Sequence, residues 1–131
     1  MTDEVIPAEV QQFIVKRIDN IAQLETLLIM AGHARESWTV PSLVRRLYIS
    51  EADTVAVLAH LRAQGLIVAE EGSPPKFRFQ PESDDLMGLV SQTAAIYARH
   101  LVPVTNLIHS KMTTRIRQFA DAFKLRKEKD E

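Results

Sequence analysis

Between Thr39 and Gln80 the hydrophobic period changes from helical to alternating, and the order of the changes leaves few folds open. Thr39 precedes a short apolar-periodic run with Pro41 near its start and Leu43, Val44 and Leu47 inside it, the layout of a short helix. Ser50 opens a second helix, and Gly65 closes it. Leu66 to Glu70 and Lys76 to Gln80 then read as strands around the turn-forming cluster Glu71-Gly72-Ser73-Pro74-Pro75. Phe77 and Phe79 alternate with Lys76, Arg78 and Gln80, so a period of two sends both rings to the core face and the charges outward. Pro74 and Pro75 remove two backbone donors, which limits how far the ladder extends into the tip.

The flanks are helical. A first helix starts at Pro7 and carries Val10, Phe13, Ile14 and Ile18 on one stripe. Asn20 caps a second, with Gln23 placed to reach back, and Ile21, Leu24, Leu27, Leu28 and Ala31 follow at helical spacing until Gly32-His33. Trp38-Thr39-Val40 suggests a short extra strand with Trp38 as a core anchor. Beyond Pro81, Ser83 caps a helix with Asp84 and Asp85 in its first turn. Its stripe runs through Leu86, Val90, Ala94, Tyr97 and Leu101, and Val104, Leu107 and Ile108 continue the phase past Pro103, where a kink or stop is expected.

A helix from Asp84 to Ser110 would be roughly 40 Å long at about 1.5 Å per residue, more than a small core covers. Its uncovered stripe predicts a homodimer built on the C-terminal helices. Leu86, Val90, Tyr97 and Leu101 are the candidate dimer or packing residues, joined by Phe119 and Phe123 of a last helix over Thr114 to Arg126. The aromatic pair is read as packing on its own domain, with docking in a partner's groove or on a membrane surface as the alternative. The division expected is residues 1–81 for the motif with its helical extension and 82–131 for the C-terminal helices.

Composition narrows function more than fold. The 131 residues are 46% hydrophobic and 25% charged, ordinary for a folded soluble protein. A net charge of −1 means that attraction to nucleic acid or anionic membrane must come from local patches. The absence of cysteine excludes disulfides and thiolate metal sites. The acidic Met-Thr-Asp-Glu start lacks a signal-peptide layout and no apolar run approaches membrane length, so a cytoplasmic protein without a membrane partner is expected. Gly32, Gly65, Gly72 and Gly88 are scattered and form no phosphate-cradling loop. His100 and His109 would point to opposite sides of a helix, so no metal site is read. No enzyme chemistry and no cofactor are expected.

Leu58, Leu61, Gly65 and Leu66 are spaced as in the Leu-x-x-Leu-x-x-x-Gly-Leu run that leads from recognition helix to wing, so Thr39 to Gln80 resembles a winged-helix domain, a helix-turn-helix variant. Phe119 to Lys127, together with Asn106 to Lys111, resembles the tail of small bacterial winged-helix proteins that mostly lack an assigned activity. The resemblance implies a mainly α fold with a small β-wing and imports no catalytic or binding residue.

A second motif helix that reads DNA needs side chains reaching base edges or phosphates. Here Thr54, Val57, Leu58 and Leu61 form the core side, while Ala52, Val55, Ala56, Ala59 and Ala63 fall together on another, and Glu51 and Asp53 would repel phosphate. The sequence therefore favours a regulatory module acting mainly through contacts with an unidentified protein partner. The apolar face is expected to be covered by polypeptide, most simply by the molecule's own C-terminal helices. The alternative is a DNA-binding transcriptional regulator making weak, sequence-independent phosphate contacts through Arg45 and Arg46 on the first motif helix and Lys76 and Arg78 on the wing.

Overall fold

A computed structural model of the chain describes residues 5–111, 113, 114 and 120. Five helices and a hairpin follow in the order α1 (Ala8–Arg17), α2 (Ile21–Gly32), α3 (Val40–Leu47), α4 (Glu51–Ala63), β1 (Ile67–Glu70), β2 (Lys76–Phe79) and α5 (Asp84–Arg99). Residues 101–111 form a further helix, α6. Most of the last helix expected from the sequence, Phe119 and Phe123 included, lies outside the described residues.

Side-chain caps set most helix starts. Asn20 accepts from the Gln23 amide (2.8 Å), but the Gln23 side chain accepts from Asp19 rather than from Asn20, one residue off the expected capping box. Thr39 and Ser42 form a complete box at α3, and Ser50 and Ser83 accept from the amides of Asp53 and Leu86. Gly65, at φ +73°, turns the chain out of α4 in the left-handed region, where a Cβ would also run into the Glu82 side chain.

Strands β1 and β2 pair antiparallel from Ile67↔Phe79 to Glu70↔Lys76. The extra strand expected at 38–40 reduces to one bridge, Trp38 against Phe77, with N–H···O distances of 2.8 and 2.7 Å. The core collects Val10, Phe13 and Ile14 of α1, Leu24, Leu27 and Met30 of α2, Leu43 of α3, Leu58 and Leu61 of α4, and Phe79 of the wing. Within it α4 packs on α2, α3 and β1, while α5 packs on α1 and α2.

In the C-terminal half the helix stops rather than kinks, and it does so ahead of the proline at which the sequence placed the break. The break falls at His100, which closes α5 with φ −131° and ψ 56° and whose carbonyl accepts from Val104 at the start of α6. Pro103 therefore sits in the first turn of a new helix, where an amide would have no helical partner and its absence costs nothing. The apolar stripe is also less bare than the sequence implied. Leu86, Val90, Val104 and Ile108 are buried in the protomer's own core, and Tyr97 is half-buried; Met87, Leu101 and Val102 are the large apolar residues of α5 and α6 left exposed. None of the described helices is long and apolar enough to cross a membrane.

Candidate nucleic-acid interface

Helix α4 has one inward and one outward side. Thr54, Val57, Leu58 and Leu61 are buried, and the Thr54 hydroxyl is satisfied by the Ser50 carbonyl at 2.9 Å. Opposite them, Ala52, Val55, Ala56, Ala59 and Ala63 are all exposed, Val55 by 51%. No described part of the C-terminal helices covers this face, which corrects the expectation that the molecule's own polypeptide buries it. The reason is geometric: α5 packs on α1 and α2, and α6 is held against the end of α1 through Lys111, not on the far side of α4.

The surroundings of that face carry mixed charge. Glu51 and Asp53 are exposed in the first turn, where they complement the helix dipole, and Arg62 is exposed near the end. Arg45 and Arg46 are exposed in the last turn of α3. On the wing, Lys76 is exposed, whereas Arg78 lies 3.9 Å from Glu70, which also accepts from the Ser37 hydroxyl at 2.7 Å. The four cations named from the sequence do not form one patch: Arg46 lines a cleft of about 300 Å³ with Glu25, Leu28, His33 and Tyr97, between α2, α3 and α5. In that cleft the Tyr97 hydroxyl donates to Glu25 at 2.6 Å. Burial, together with the hydrogen bond and charge of Glu25, pushes the Tyr97 phenol up to about 12, so the ring stays neutral.

Two features of the site escaped the sequence. The first is Tyr48, which ends α3 in the left-handed region (φ 57°, ψ 38°), its amide donating to Val44 at 2.9 Å and its side chain 92% exposed. The second is a polar hub at the C-terminal end of α1. Lys111, its side chain only 7% exposed, donates to the Ile18 carbonyl at 2.7 Å and to Asp19 at 3.0 Å, with the Ile14 carbonyl at 3.4 Å. Asp19 also lies 3.9 Å from His60 of α4, whose Nε2 donates to the Arg17 carbonyl at 2.7 Å. Arg17 in turn donates to the Gln64 carbonyl at 2.5 Å. The hub thus ties α6 to the C-terminal end of α4 through the end of α1. Among the described residues no group of three or more His, Cys, Asp or Glu could hold a metal ion.

No family model matches the chain, and no curated protein does. Solved structures do. A mutant MepR from a multidrug-resistant S. aureus clinical isolate aligns over 88% of this chain and 87% of its own, at TM-score 0.54 and 12% identity. The multiple antibiotic-resistance repressor MarR of Listeria monocytogenes aligns over 91% and 82%, at 0.50 and 20%. Bordetella bronchiseptica BpsR, whose DNA binding is regulated by 6-hydroxynicotinic acid, aligns over 87% and 84%, at 0.50 and 17%. At such identities the likeness is one of fold. With α3 and α4 as the helix-turn-helix, β1 and β2 as the wing, and helices before and after them, this chain has a winged-helix fold.

Proposed function

We propose that this protein is a winged-helix transcription regulator that binds duplex DNA as a homodimer, the reading the sequence placed second. The observation that carries it is the bare outward side of α4, which was expected to be covered. The fold likeness to the Listeria repressor and to BpsR supports the same reading.

The residues on offer define how such binding would work. Along the α4 ridge Ala52, Ala56, Ala59 and Ala63 present only methyl groups, so this helix makes apolar contacts, of the kind thymine methyl groups accept, rather than bidentate base contacts. Glu51 and Asp53 repel phosphate and leave the amino groups of cytosine and adenine as the base-edge features they can accept from. Affinity then rests on phosphate contacts from Arg45, Lys76 and Arg78, and sequence selectivity is modest. For the second copy, the support is the exposed Met87, Leu101 and Val102 on α5 and α6. A dimer should scatter light as twice 14.8 kDa, and a monomer at high micromolar concentration would remove that part of the proposal.

The exposed Val55 and alanine ridge also fit the first sequence reading, a docking face for another protein, but the fold likeness does not point there, and salt separates the two. Titrated against mixed-sequence duplex, the protein should bind with a log–log salt slope near −3 per protomer from three phosphate-contacting cations. That weakens binding about fortyfold per protomer between roughly 50 and 200 mM salt. Lys76→Glu combined with Arg78→Glu should abolish it. Absent or salt-insensitive binding would return α4 to a protein partner.

A further inference from the structure

Tyr48 occupies a position that stability alone does not explain. The left-handed conformation favours glycine or asparagine, because a Cβ crowds the neighbouring carbonyl there. A large side chain can offset that cost by burial, yet this ring is 92% exposed and gains almost nothing that way. What the conformation achieves is placement. It stops α3 at Leu47 and aims an aromatic hydroxyl outward from the turn, two residues before the Ser50 cap of α4. In a helix-turn-helix, the second helix meets the groove with its N-terminal residues while the first crosses the backbone, so this turn lies at the groove rim. Arg45, three residues earlier and also exposed, supplies a cation on the same short segment.

We infer that Tyr48 is a DNA-contacting residue whose phenol hydroxyl donates to a backbone phosphate at the rim where α4 approaches the major groove. The inference rests on the DNA reading above and adds to it a contact that no charge pattern reveals. Tyrosine is well matched to such a contact, with one rigid ring, a strong donor, and no charge to be held by nearby Glu51 and Asp53.

The deciding experiment uses the full chain and a fluorescently labelled mixed-sequence duplex at low salt, with wild type, Tyr48→Phe and Tyr48→Asn compared. Tyr48→Phe, which keeps the ring and the backbone strain, should weaken binding about tenfold through loss of one hydrogen bond to an ionised oxygen. Tyr48→Asn should weaken it at least as much while leaving the melting temperature unchanged or raised, because asparagine accepts the left-handed backbone. Wild-type affinity in both variants overturns the inference while leaving the DNA reading in place. Wild-type affinity in Tyr48→Phe alone overturns the hydroxyl assignment. A wild-type protein that binds no duplex overturns the DNA reading and this contact with it.

Discussion

Leu61→Ala is expected to cost about 3–4 kcal/mol of folding stability, while Ala59→Arg, two residues away on the same helix, should change it by less than about 0.5 kcal/mol. Leu61 is completely buried among the α4 side chains that face α2 and α3, so truncation removes transfer energy and leaves a cavity that fixed helices cannot fill. Ala59 is exposed, and arginine is a good helix former, so the longer side chain meets solvent. Chemical denaturation of both variants measures the contrast. A large loss from Ala59→Arg would mean that the outward face of α4 is packed after all, and the interface described for it would fall.

Lys111→Met should cost about 3 kcal/mol, equivalent to roughly 10 °C in melting temperature for a chain of this size. Methionine keeps the aliphatic stem packed, so the loss isolates the ammonium group. Removing it leaves the Ile18 carbonyl at the end of α1 without its charged donor and takes from Asp19 a partner at 3.0 Å. Because Asp19 also neighbours His60, the damage reaches α4, and Asp19→Asn combined with Lys111→Met should cost less than the two single losses added together. Additive losses, or a Lys111→Met variant as stable as wild type, would show that the hub does not join α6 to the motif.

Leu61 and Lys111 also mark where the sequence was and was not informative. The inner stripe of α4, Thr54, Val57, Leu58 and Leu61, was legible because bulky apolar residues at helical spacing have one stable place to go. The outer stripe was misread because alanine is both a small apolar residue and the best helix former, so an alanine face looks the same buried or bare. Pro103 drew the expected break to itself, although a proline is tolerated in a first turn and the interruption belongs to His100 three residues earlier. Lys111 gave no local signal, since its burial depends on α1, more than ninety residues away in sequence. Tyr48 left a faint one: a helix ending at Leu47 with the next capped by Ser50 must reverse at Tyr48 or Ile49, with no glycine to take the left-handed position. The winged-helix core, by contrast, was specified by its turns, because Gly65 and the Gly72–Pro75 cluster fix where α4 ends and the hairpin reverses.

What lies against the middle of α4 in the cell can be read by photo-crosslinking. With Ala59→p-benzoylphenylalanine in the full chain, irradiation of living cells should trap adducts that nuclease digestion collapses to the size of the protein, as expected of a face lying against duplex DNA. Adducts that resist nuclease and are cut down only by protease would place a polypeptide on that face and refute DNA binding through it.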